Sequence, residues 1–310
     1  MKKQLVTLSI ILISLIFLSQ STYAALRCSL CGKEIVGKYV AYPKLGLNIC
    51  EQCQNTKPHC EKCDIPVNKL IMVGGHGFCE RCAPTIEVCH SCGEAIMGDY
   101  TFFEGNESLK YCMKCTDKYP RCADCGAPSG PYGTRLDDGR YLCPDCRRIA
   151  IFEPGLITPI KLKVRAFLEN NMGMPVNHDV TYSLENQIFM KEKSKGIQGD
   201  LNGLFYYKDD EYDIYIVYGL RERDLLSVLA HEMTHAWEAE NCNDKLPLEE
   251  QEGFAQWVAY KALIHFSLDD FAHLMTKGDN IYSHGLNKML NIETEGGSGA
   301  VFDFIKRKKI

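Results

Sequence analysis

The sequence predicts a multidomain chain: small zinc-stapled β-hairpin modules at the N-terminal end, then an α+β domain. Three observations carry this. Sixteen of the seventeen cysteines form eight Cys-x-x-Cys pairs, all before residue 147. Past Cys146 the cysteines nearly vanish. There, alternating apolar stretches give way to long segments with helical periodicity.

The first residues, "MKKQLVTLSIILISLIFLSQSTYA", run from two lysines through an apolar stretch to a small-residue end. That is the order of a secretory leader, expected over 1–24 with cleavage after Ala24. The apolar run falls short of the roughly 20 residues a spanning helix needs. We therefore expect an exported, periplasmic or extracellular protein of bacterial type, with no membrane anchor after cleavage. A net charge of −5 offers no electrostatic case for nucleic acid. The C-terminal "KRKK" reads as a solvated tail.

The cysteine pairs fall into four units: Cys28, Cys31, Cys50 and Cys53; Cys60, Cys63, Cys79 and Cys82; Cys89, Cys92, Cys112 and Cys115; Cys122, Cys125, Cys143 and Cys146. Each has the form C-x2-C-x15–19-C-x2-C, the spacing of zinc ribbons and LIM modules. A knuckle sets two thiolates on one side of a zinc, and a second knuckle across a hairpin closes the tetrahedron. Four structural zincs are expected. "CSLCGKEIVGKYV" (28–40) returns as "CHSCGEAIMGDYT" (89–101), so the units pair into modules 28–82 and 89–146. With few apolar residues, metal would supply much of their folding energy. Disulfides are the alternative that export would allow. The fourfold knuckle spacing favours zinc, and a redox protein with this many Cys-x-x-Cys pairs is disfavoured.

Residues 147–157, with Pro154 and Gly155, read as a linker, and 158–310 as the second domain. Thr158-Pro159 predicts a helix start, 176–184 a strand, and 204–219 a hairpin. Asp224 is expected to cap the next helix, and Pro247 to open another through about Phe266. Ser267 with Asp270 resembles a capping box.

The first long helix carries His-Glu-x-x-His at 231–235. Positions i and i+4 share a face, so His231 and His235 can address one metal. Zinc held by three protein ligands keeps an open position for water, and Glu232 is placed to take that water's proton. A third ligand could be Glu249, Glu250 or Glu252, with spacing slightly favouring Glu252. Glu238 and Glu240 would have to reach back along the same helix. Gly253 would let the two helices approach closely. "NIYSHGLNKML" offers Tyr282 and His284 as donors to a tetrahedral intermediate, or as surface loop residues. Cys242 takes no role.

The stretches "YIVYGLRERDLLSVLAHEMTHAW" and "EEQEGFAQWVAYKAL", behind LIM-like units, resemble the plant ubiquitin-activated peptidases that regulate organ size. The resemblance spans about 28–310. It implies a zincin-like, gluzincin-type peptidase domain with His231, His235 and Glu252 on one catalytic zinc and Glu232 as general base. Gln256 stands where thermolysin-like relatives place an aspartate. Only the leader-like segment precedes the first unit, so activation by ubiquitin is not carried over. The expected activity is zinc-dependent hydrolysis of a protein or peptide substrate, of endopeptidase type, with the LIM-like modules binding partners or regulating access. The alternative is a LIM-type adaptor with an inactive peptidase-like half.

Overall fold

The computed structural model describes residues 25–103, 107–194, 201–209, 211–242 and 246–306. The leader-like segment 1–24 and the tail after Lys306 lie outside the described residues. The chain divides into two compact units. One runs to Val88 and includes Glu94–Met97; the other holds Cys89–Gly93 and everything from Gly98.

The first unit is built from two antiparallel hairpins. Strands β1 (Tyr39–Tyr42) and β2 (Leu47–Cys50) lead into helix α1 (Glu51–Thr56), and β3 (Ile71–Val73) pairs with β4 (His76–Phe78). Each first knuckle is a tight turn whose last residue is left-handed. Gly32 (φ 74°) donates its N–H to the Cys28 carbonyl, and Asp64 (φ 55°) donates to that of Cys60. Glycine adopts this conformation without strain; aspartate is one of the few residues that tolerate it.

The second unit opens with the same device twice. Strands β5 (Tyr100–Thr101) and β6 (Tyr111–Cys112) precede α2 (Met113–Lys118); β7 (Thr134–Arg135) and β8 (Tyr141–Leu142) precede α3 (Pro144–Ile149). Next come α4 (Pro154–Asn170), β9 (Val180–Glu185), α5 (Gln187–Lys193), β10 (Gly203–Lys208), β11 (Glu211–Val217), α6 (Glu222–Asn241), α7 (Leu248–His265), α8 (Asp269–Met275) and α9 (Ile281–Lys306). Helix α9 is interrupted at Gly297, which sits at φ 74° and ψ 176°. Among the described residues no helix is long and apolar enough to cross a membrane.

The sheet order is β10-β11-β9. Phe205 faces Ile214 across the antiparallel pair, and Tyr182 faces Ile214 across the parallel one. Along β11, Tyr212, Ile214 and Ile216 turn into the core while Asp213 and Tyr215 turn away, the two-residue period of a half-buried strand. Ile214 and Ile216 meet Leu225, Leu229 and Met233 of α6 and Phe254, Trp257 and Val258 of α7 in one core. Burying a side chain of this size contributes about 1.5–3 kcal/mol, so this layer anchors the helix that carries His-Glu-x-x-His.

Several boundaries differ from expectation, each for a local reason. Helix α4 starts at Pro154, where the missing N–H costs nothing, and Pro159 lies inside it. Only residues 150–153 separate α3 from α4, and Ile151 is bridged to Leu220, so 147–157 is not a free linker. Strand β9 begins at Val180 because the N–H groups of Asn177 and His178 are taken by the Glu240 carboxylate. Asp224 lies in the first turn of α6, which Arg221 precedes as the cap. Ser267, at φ 60°, closes α7 through its N–H to the Ile264 carbonyl instead of starting α8. The stretch around Tyr282 and His284 is helical. Asn280 caps it by accepting the Ser283 N–H at 3.0 Å.

Candidate metal centre

Among the described residues, five groups of side chains bring metal-ligating atoms together. Four are the cysteine tetrads, each with all four sulfurs within 4.8 Å of one another. Between knuckles, Cys31 Sγ lies 4.0 Å from Cys50 Sγ, Cys63 Sγ 3.9 Å from Cys79 Sγ, and Cys125 Sγ 3.9 Å from Cys143 Sγ. A zinc bound at about 2.3 Å to each sulfur requires an edge of roughly 3.8 Å, whereas a disulfide brings sulfurs to about 2.05 Å. Backbone N–H groups point at the thiols: Cys50 N–H at Cys28 Sγ (3.5 Å), Cys112 at Cys89 (3.3 Å) and Cys143 at Cys122 (3.3 Å). Burial of Cys28 opposes its thiolate, but these donors prevail and bring it down to about 6. The distances suit a zinc-binding cluster in each tetrad; the thiols differ electrostatically, burial and neighbouring thiols pushing Cys53 and Cys82 up to about 12.

The fifth group is His231, His235 and Glu252. The two histidines project from successive turns of α6. Glu252 comes from the second turn of α7, which packs along α6. His231 Nε2 lies 3.1 Å from His235 Nε2 and 3.1 Å from Glu252 Oε2, and His235 Nε2 lies 3.6 Å from Glu252 Oε2. A tetrahedral zinc with bonds of about 2.0–2.2 Å has edges of roughly 3.3–3.6 Å. The outward ring nitrogens are committed elsewhere. His231 Nδ1 is 3.0 Å from Gln256 Oε1, and His235 Nδ1 is 2.7 Å from Glu238 Oε2. With Nδ1–H donating in both rings, both Nε2 lone pairs and a carboxylate oxygen face one point, a donor set that asks for a cation. Burial alone would raise Glu252, yet its contacts with His231 and His235 hold it well below the usual carboxylate range. The other two glutamates weighed as ligands go elsewhere. Glu249 is exposed, and Glu250 reaches Lys288 Nζ at 3.1 Å.

These three side chains line a cleft of about 320 Å³, bordered by Gly203–Phe205 of β10, Glu232, Gln251 and Tyr282. Glu232 is buried on the wall beside the histidines, and Oε2 accepts the Phe205 N–H at 2.7 Å. Burial pushes its carboxyl up, against the pull of both histidines. Strand β10 approaches so closely that a Cβ on Gly203 would sit 2.5 Å from Glu232 Oε1 and 2.6 Å from Val228 Cγ1.

Tyr282 is in the cleft, its ring edge-on to His231 with centroids 6.0 Å apart. Burial, with the charges of Glu252 and Glu232, raises its hydroxyl above the ordinary tyrosine value. His284 is not brought there. Two positions along the helix from Tyr282, it points elsewhere, pairs with Asp279 at 3.0 Å and is more than half exposed. Gly253 does permit a close approach, but to the last helix and not to α6. A Cβ on Gly253 would lie 2.6 Å from Gly285 Cα, and the reverse contact is 2.5 Å. This crossing holds Tyr282 over the histidines. Glu238, discounted as a ligand, instead orients His235, a role that its i+3 position could have suggested. Gly203 carried no sequence signal. Cys242 is buried in the cleft wall, which places it without giving it a role.

The chain is similar to plant proteins of Arabidopsis thaliana. It is 26% identical over 252 residues to Protein DA1-related 1, covering 65% of this chain and 45% of the relative. To Protein DA1-related 7 it is 26% identical over 249 residues, 64% and 43% respectively. To Protein DA1 it is 26% identical over 198 residues, 50% and 36%. The chain thus spans less than half the length of these relatives. No family model matches the sequence. No solved structure matches it either.

Proposed function

We propose that the chain is a zinc-dependent peptidase whose LIM-like modules bind partners or regulate access to its cleft. One observation carries the reading: two imidazoles and a carboxylate converge on one point, with a buried glutamate beside them, in a cleft edged by a strand. His231, His235 and Glu252 are the ligands in this reading. Zinc bound there would polarise a scissile carbonyl and lower the pKa of water towards about 7.

The chain's own residues supply the rest. Glu232 takes the proton of the attacking water and returns it to the leaving amine. The Phe205 N–H fixes the carboxylate that does this. That N–H points off the sheet, whereas the Asn202 carbonyl accepts from Val217 within it. The alternate residues Gly203 and Phe205 therefore present their peptide groups to the cleft. An extended substrate can pair along this edge of β10. Tyr282 is the group placed to donate to the developing oxyanion.

The test is cleavage of a peptide library by the full chain beside Glu232→Gln, with metal content measured on both. The expected result is cleavage by the wild type and a loss of about 10²–10⁴-fold in the variant at equal metal content. Inert wild-type protein with five metals per chain would leave the adaptor reading in place. Equal cleavage by both proteins would remove Glu232 as the base. In parallel, Glu252→Ala should release one metal and spare four.

A further inference from the structure

The fourth cysteine tetrad does more than staple its own hairpin. Asp124 lies inside its first knuckle, between Cys122 and Cys125, with its side chain nearly buried. Asp124 Oδ1 meets the Arg221 guanidinium at 2.6 Å, and Arg221 is the cap of α6, the helix of His231 and His235. Arg221 also reaches Asp224 in the first turn, Nε to Oδ2 at 3.4 Å.

The rest of the β11–α6 connection is gripped from the same side. Arg140, in the β7–β8 hairpin of this tetrad, donates to the Tyr218 carbonyl at 2.9 Å. Ile151, just past α3, exchanges backbone hydrogen bonds of 2.8 and 2.7 Å with Leu220 and Gly219. Leu136 and Leu142 of the hairpin pack with Cys122, Cys146 and Tyr218 in one apolar cluster. A second line leads to the other wall of the cleft. Asp138 accepts the Gln187 N–H at 3.0 Å, and the Gln187 side chain donates to the Leu201 carbonyl at 2.8 Å. Leu201 lines the cleft.

We propose that the fourth cysteine cluster is a latch on the metal-binding helix. Asp124 and Arg221 form a positioning pair: neither touches the cleft, but together they set where α6 starts and hence where His231 and His235 stand. A helix rises 1.5 Å per residue, so the pair lies roughly 15 Å from His231 along a rigid, buried rod. Because the knuckle shapes Asp124 and α6 shapes the histidine site, metal in the cluster and metal in the cleft must favour one another reciprocally. The inference rests on reading His231, His235 and Glu252 as a metal site, and its test separates the two.

The test uses full-length protein with its cysteine clusters filled and the histidine site emptied by mild chelation, then titrated with cobalt(II). Asp124→Asn keeps every thiol. It should retain its zinc, bind cobalt roughly 2- to 30-fold more weakly with an altered visible band, and exchange the amides of Leu225–Leu229 faster. Ile305→Ala, at the far end of the same core, should lower the melting temperature while leaving cobalt affinity at the wild-type level. If Asp124→Asn also loses zinc from its own cluster, Arg221→Met, which leaves the knuckle untouched, takes its place. Wild-type cobalt affinity and amide exchange in the latch variant overturns the proposal, as does an equal loss of affinity in Ile305→Ala. If wild-type protein takes up no cobalt, the metal reading fails and amide exchange alone decides the latch.

Discussion

Replacing Gly253 with alanine tests the helix crossing beneath the cleft. The new Cβ would stand 2.6 Å from Gly285 Cα, 2.7 Å from its carbonyl carbon and 2.8 Å from its oxygen. Carbon atoms rest at about 3.5–4.0 Å, so α9 must retreat by roughly 1 Å. The obstruction is backbone, which cannot rotate aside, so the cost belongs at the upper end of overpacking, about 3 kcal/mol. Alanine's better fit to a helix returns about 1 kcal/mol, leaving a net loss of about 2 kcal/mol. For a unit of this size that lowers the melting temperature by roughly 4–8 °C. Tyr282 rides on the displaced turn, and a 1 Å misplacement near reacting atoms can cost about 10²-fold in rate. Calorimetry on the full chain reads the first effect and peptide cleavage the second. Gly299→Ala is the control. It is also in α9, but its Cβ would meet nothing within 4 Å, so it should be neutral or mildly stabilising. A Gly253→Ala protein that melts with the wild type, or a Gly299→Ala protein that falls as far, would refute the reasoning.

Gly203→Ala drives a methyl group against Glu232 Oε1; peptide cleavage should collapse while metal analysis finds the zinc content unchanged. Glu238→Ala frees His235 Nδ1 and should weaken metal at the histidine site by about 10- to 100-fold, read by titration with a chelator, without affecting the four tetrads. The Asp138 side chain is inaccessible to solvent; burial would raise its carboxyl, but the N–H groups of Gln187 and Arg140 and the Arg140 guanidinium hold it below its ordinary value of 3.8. A depressed carboxyl contributes stability above its unfolded pKa and loses it as pH falls through the folded value. Asp138→Asn should therefore cost about 1.5 kcal/mol at neutral pH, with the gap in denaturant midpoint narrowing as pH falls below about 4.

What was legible in the sequence is what depends on short-range geometry. Knuckle spacing places sulfurs across a hairpin, and a four-residue helical step places His231 beside His235. Both are properties of a few adjacent residues. Spacing gave Glu252 only a slight edge over Glu249 and Glu250, and the family resemblance made the choice, because it depends on how α7 lies along α6. Contacts between distant segments left little trace. Gly253 announced a close approach, but the expected partner was α6 and the observed one is α9, and Asp124 and Arg221 are too far apart in sequence to suggest a pair. Tyr282 and His284 looked equivalent until the stretch proved helical, which turned only one of them into the cleft. Boundary errors had local causes that periodicity does not register: Pro154 needs no N–H at a helix start, the Glu240 carboxylate takes two backbone N–H groups, and the Ser267 N–H closes α7.

The close packing of Gly203 on Glu232 has a diagnostic use. His-Glu-x-x-His alone cannot distinguish a working hydrolase from a relative that has kept only its metal. Any related chain that keeps both histidines and the glutamate but carries a side chain at the position of Gly203 has no room to seat its base against β10. Such a chain should still bind zinc and cleave nothing. On the proposed reading, the residue at this position separates chains able to hydrolyse a peptide from chains that only hold the metal.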